Sequence, residues 1–169
     1  MATPLSEQQR AAAEIAIRTR ISINEWLIEQ NPITPPEILA AVSFENRHQW
    51  ISIVPLPETG GVLDRAVEVT EISPTRWIVT ACRYDTPGVY SMGTDNQLSL
   101  SSQGENYVAL ISTVESTKGP DGSGKRSDSP RLLVVDSEQI FDENARQTCT
   151  PFRPEPYVQE PPQPLPSGK

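Results

Sequence analysis

His48, Cys82 and Cys149 are the only histidine and the only cysteines in the chain, and they limit the chemistry it can carry. One histidine cannot build a two-histidine metal site within a single chain. No CxxC pair is present, which removes the usual structural-zinc and thiol-redox patterns. His48 and Cys82 would form a base and thiolate couple only if they met within hydrogen-bond reach and Cys82 were exposed. Cys82 instead sits in a run of strand-forming residues, where cysteine packs as a small buried hydrophobe, and His48 stands beside Arg47 just before a strand.

The patterns GxxxxGK[ST], GxGxxG and GxSxG are absent. Gly119-x-x-Gly122-x-Gly124-Lys125 has the composition of a phosphate loop without its spacing, its preceding strand or its following apolar helix, so it reads as linker. Glu68, Glu71 and Asp85, with Arg76 and Arg83 close by, could share acid and base roles if burial separated their pKa values. Cross-strand ion pairs on a solvated sheet face account for them more simply. Trp50, Trp77, Tyr84, Tyr90 and Tyr107 fall on sheet segments or their turns, where large aromatics either line a pocket or fill the space between helix and sheet. None of these sets defines a catalytic group, a metal site or a cofactor, and the balance is against an enzyme.

Positioning falls first to a helix. Thr3 before Pro4, or Ser6 with Gln9, can cap its start, and Asn31-Pro32 ends it because the residue before proline leaves the α region. At 100° per residue Glu14, Arg18, Ser22, Glu25 and Glu29 make one narrow polar stripe, with Glu14 and Arg18 an i,i+4 pair. Ala12, Ile15, Ala16, Ile23, Trp26 and Leu27 lie to one side of it, and Ile17, Ile21 and Ile28 to the other. That is more apolar surface than the single stripe of a surface helix, so either the domain wraps this helix from two sides or a second chain covers what is left. A second, shorter helix is expected after Thr34-Pro35-Pro36-Glu37, which reads as a capping box.

Strands follow. WISIVPLP, from Trp50, is a short one stopped by its prolines, and Glu58–Gly61 reads as a turn. RAVEVTEIS and RWIVTACRY, joined by Pro74-Thr75, form a hairpin in which Ala66 and Glu68 share one face and Val67 and Val69 the other. Pro87-Gly88 suits a type II turn. Gln97–Ser101 alternates as a strand, Tyr107–Glu115 reads as a central strand and Arg131–Val135 as a buried one. Residues 116–130 read as a mobile loop. Asp136 or Ser137 is expected to cap a final helix in EQIFDENARQ.

At 169 residues and 36% hydrophobic content the chain suits one domain on the polar side of globular. Seventeen prolines cluster toward the end, so residues 149–169 are expected as a proline-rich, disordered tail beyond a domain of residues 1–148. PxxP within Pro161–Pro166 is a weak docking motif. A net charge of -8 opposes nucleic acid and an anionic membrane surface as partners. No apolar run approaches the roughly 20 residues of a membrane helix, and the N-terminus lacks a signal-peptide pattern. Two cysteines and no Asn-x-Ser/Thr sequon suit a reducing cytoplasm, with no disulfide expected.

The expected architecture is α+β: an antiparallel sheet of about five to six strands with the long N-terminal helix and the short second helix on one face, the alternative being a partly closed small barrel or cone. Two functions fit. One is a non-enzymatic interaction or assembly protein that meets a protein partner, or another copy of itself, through Ile21, Ile23 and Trp26 of the first helix. The other is a small ligand-binding or hydrolytic domain with a pocket between helix and sheet lined by Trp50, Trp77 and Tyr84.

Overall fold

The computed structural model describes residues 4–29, 34–47, 58–92, 97–100 and 107–155. Helix α1, Glu7–Glu29, starts where Ser6 and Gln9 cap each other: Gln9 N–H donates to Ser6 Oγ at 3.2 Å and Ser6 N–H to Gln9 Oε1 at 2.8 Å. It ends short of Asn31-Pro32. Helix α2, Pro36–Ala41, has Pro35 at its N-cap and no side-chain capping bond, so the expected Thr34 capping box does not form. Two consecutive prolines set the entry instead, since each fixes its own φ.

Strands β1 (Glu58–Ser73), β2 (Arg76–Met92), β4 (Tyr107–Thr117) and β5 (Arg131–Ile140) form one antiparallel path in the order β1-β2-β4-β5. The three-residue β3, Leu98–Leu100, pairs with Tyr90–Met92 of β2. The sheet is open, with β1 and β5 at its two ends, so neither barrel nor cone forms. Among the described residues the main path has four strands, fewer than the five to six expected, and only the short β3 adds to it; the expected strand at WISIVPLP lies outside them.

Alternation along β2 builds two cores. Trp77 and Val79 join Ala12, Ala16 and Ile23 of α1, Ile38 and Val42 at α2, Val114 of β4 and Val134 of β5. Cys82 and Tyr84, of opposite parity, join Ala109 and a third helix, α3 (Glu143–Cys149), through its Ala145 and Cys149. Helices therefore lie on both faces of the sheet, each against a different stretch of β2. A bulge between Ala66 and Glu68 breaks the alternation expected in β1. Ala66 and Val69 pack into the α1 core, whereas Val67 packs into the α3 core.

Several local readings give way to longer-range pairing. Glu58–Gly61 is the start of β1, because it pairs with Gly88–Ser91. Pro87-Gly88 does not reverse the chain: Leu63 opposes Tyr84 and Gly61 opposes Gly88, so the residues between bulge out of β2. Gly88 has a φ of 127°, which permits this without Cβ strain. β5 runs on to Ile140, and the last helix is capped by Asp142, whose side chain accepts from Asn144 and Ala145 N–H, rather than by Asp136 or Ser137.

The segment read as a mobile loop is fastened. Asp121 bridges to Ser43, and Phe44 N–H donates to Pro120 O at 3.1 Å. Gly122 N–H donates at 2.8 Å to both Leu39 O and Val42 O, satisfying carbonyls at the end of α2. A Cβ on Gly122 would lie 2.9 Å from Leu39 O. Gly122→Ala is therefore expected to destabilise the domain by about 1 to 3 kcal/mol, read from the urea midpoint. An unchanged midpoint would mean that the contact is not tight.

Candidate functional site

Among the described residues, those whose types could do chemistry do not converge. Cys82 is bonded to Cys149 and has no thiol to offer, so the expectation of two reduced cysteines is overturned and the His48–Cys82 couple is lost. The pairing was invisible locally because it joins β2 to the end of α3 across 67 residues. It also removes the argument that unbridged cysteines gave for a reducing cytoplasm. His48 and Trp50 lie outside the described residues. Glu68 opposes Thr80 and Glu71 opposes Trp77, which puts the two carboxylates on opposite faces of β1. Among the described residues no group of three or more histidine, cysteine or acidic side chains could hold a metal ion.

Trp77 and Tyr84 are 1% and 0% exposed and belong to the two different cores. They do not share a pocket. Tyr84 Oη–H donates to Cys149 O at 2.7 Å. The glycines of the phosphate-loop-like segment serve packing and turns, with Gly122 N–H directed at α2 rather than at an anion site.

Beneath α1 lies a buried ionic group. Arg83 donates from Nε and Nη2 to the two carboxylate oxygens of Asp64, both at 2.8 Å, a bidentate pair across β1 and β2. Arg20 of α1, 6% exposed, completes it. Burial, and then the charge of Arg83, lower its pKa to about 10 against the opposing pull of Asp64, so it stays charged at neutral pH. Thr19 and Arg20 thus share the inner side of α1 with Ala12, Ala16 and Ile23, an inward arginine that apolar periodicity gave no reason to expect. A second ion pair, Arg131 with Asp121 at 3.1 Å, ties β5 to the fastened loop. Asp121 Oδ1 also accepts from Ser123 Oγ, Ser123 N–H and Lys125 N–H. Burial alone would raise the Asp121 pKa, but these hydrogen bonds and Arg131 hold it below the usual carboxylate range.

Exposed apolar surface includes the outside of α1. Ile23 is 1% exposed and belongs to the core, whereas Ile21 is 45% exposed, about half a turn of the helix away. Trp26 belongs to α1, but its side chain lies outside the described residues. A groove of about 240 Å³ runs between α1 and α2, with Ile15, Ala40 and Ala41 on its apolar side and Arg18 and Glu37 among its charged residues. A second groove, of about 350 Å³, lies by Arg76, Glu115, Ser43 and Thr117. Its two hydroxyls already accept turn hydrogen bonds, Ser43 Oγ from Asn46 N–H and Thr117 Oγ1 from Gly119 N–H, so neither is set up as a nucleophile.

Two stability measurements check this electrostatic account. Asp64→Ala removes the carboxylate that attracts both guanidinium groups and is expected to cost about 3 to 5 kcal/mol by urea unfolding; a loss under about 1 kcal/mol would show the pair to be surface-like. For Asp121, a lowered folded-state pKa gives stability that is present above the unfolded pKa and lost as pH falls through the folded one. The advantage of the wild type over Asp121→Asn should therefore hold level from about pH 7 to 5 and shrink below about pH 4. A difference that does not change with pH would contradict it.

No family model, no curated protein and no solved structure matches the chain.

Proposed function

We propose that this chain is a non-enzymatic interaction or assembly protein whose binding surface is the outward side of α1. Ile21 carries the reading. It leaves 45% of its surface open on a helix whose opposite side is already fully engaged by the sheet. A β-branched apolar residue so placed offers a partner apolar area to bury, with the Glu14–Arg18 ion pair and Arg10 on the same helix for polar contacts at the margin. The partner is another protein or a second copy of the chain.

That no catalytic group converges among the described residues supports the same view. Trp77 and Tyr84, offered for a ligand pocket, are consumed by two separate cores, and Cys82 is consumed by a disulfide. No observation favours the hydrolytic alternative.

Ile21→Glu tests the proposal, because it changes an exposed site and should leave the thermal midpoint within about 2 °C. The expected result is at least a tenfold loss, about 1.4 kcal/mol, of partner recovered by affinity capture, or of the dimer in sedimentation velocity. Glu138→Gln, on the exposed side of β5, serves as the control and should change neither. Equal recovery and equal sedimentation for Ile21→Glu and the wild type would sink the proposal.

A further inference from the structure

We propose that the Cys82–Cys149 disulfide is a redox clasp: its reduction releases α3 from the sheet and uncovers the apolar face beneath, while the core under α1 stays folded. The inference is independent of whether α1 binds a partner.

The helix it holds is short. α3 has seven residues, too few to be helical in isolation, and only Ala145 and Cys149 of them are buried. Hydrogen bonds supplement the covalent link. Tyr84 Oη–H donates to Cys149 O, and Arg65 Nη1 donates to Phe152 O at 2.7 Å from an exposed site. Buried apolar contact there is small, because the cluster consists of Cys82, Tyr84, Ala109, Ala145 and Cys149 with three half-buried neighbours. The covalent link is therefore the strongest single attachment of α3.

The other face does not depend on it. No residue of α3 belongs to the core of Ala12, Ala16, Ile23, Trp77, Val79 and their neighbours. The β1-β2-β4-β5 ladder closes without α3 as well. Losing α3 would expose Tyr84, Ala109, Leu63, Val67 and Ile140 as one patch, beside Phe141, which is already 70% exposed.

Both cysteines are 0% exposed, so a reductant reaches the bond only when the region around it opens locally. One thiolate of a dithiol then attacks a sulfur, and the second resolves the mixed disulfide. The dithiol becomes a disulfide, and its two electrons and two protons leave Cys82 and Cys149 as thiols.

Hydrogen exchange with mass spectrometry on the full chain, with and without dithiothreitol, reads the outcome. Reduction should speed exchange in peptides covering residues 143–153 by at least about tenfold, while peptides from Ala12–Ile23 and Trp77–Val79 stay within about twofold. The double variant Cys82→Ser with Cys149→Ser should match the reduced wild type without any reagent. Unchanged exchange in α3 would overturn the clasp. So would acceleration of every segment together, which would make the bond a staple of the whole domain.

Discussion

Strand β2 has to satisfy both faces of the sheet at once. Trp77 and Val79 point toward α1 and are fully buried, while Cys82 and Tyr84 point the other way and are also fully buried. β1 pairs along one edge of β2 from Ser73 back to Glu58, while β4 and β3 pair with it elsewhere. A strand enclosed on two faces and along its edges leaves little latitude in register, since a slip of one residue would exchange the two cores. The remaining architecture is arranged to meet that demand. α1 and α2 close one face, α3 closes part of the other, and bulges in β1 let its side chains follow both.

Charged residues and glycines that look chemical in isolation are used for the same purpose. Asp64 and Arg83 neutralise each other in the sheet beneath α1, with Arg20 drawn into the group. Asp121 gathers Ser123, Lys125 and Arg131 and so fixes the segment that supplies Gly122 to the end of α2. Such groups are costly if left half-satisfied, which is why they end up tied to structure rather than free for reaction. Function is accordingly sought on the surface. The outward side of α1 carries the exposed Ile21, and on the other face the Cys82–Cys149 disulfide joins β2 to α3.

Much of this was legible where the cause is local. The Ser6–Gln9 cap, the length of α1, the Glu14–Arg18 pair and the hairpin about Pro74-Thr75 each depend on residues a few positions apart. The centrality of Tyr107–Glu115, now β4 between β2 and β5, showed in its apolar character. The misreadings share a different origin. Glu58–Gly61 looks like a turn until Gly88–Ser91 pairs with it. Residues 116–130 look mobile until β4 runs on to Thr117 and Ser43, Leu39 and Val42 pair with Asp121 and Gly122. Of the candidate binding residues, Ile21 could be read as surplus from helical periodicity. Nothing local distinguished Ile23, which periodicity also marked as apolar and which the sheet covers completely.

By itself the sequence determined the class of fold, the span of α1 and the hairpin that organises the sheet, because period, capping and turn chemistry act within a few residues. It also determined that no two-histidine site could form in one chain. Tertiary structure alone decided that Cys82 meets Cys149, that Thr19 and Arg20 turn inward, that Trp77 and Tyr84 serve opposite cores and that one glycine loop is fastened to α2. Each of those outcomes joins segments far apart in the chain, and what brings them together is the burial of β2 on both faces, which has no signature in any short stretch of residues.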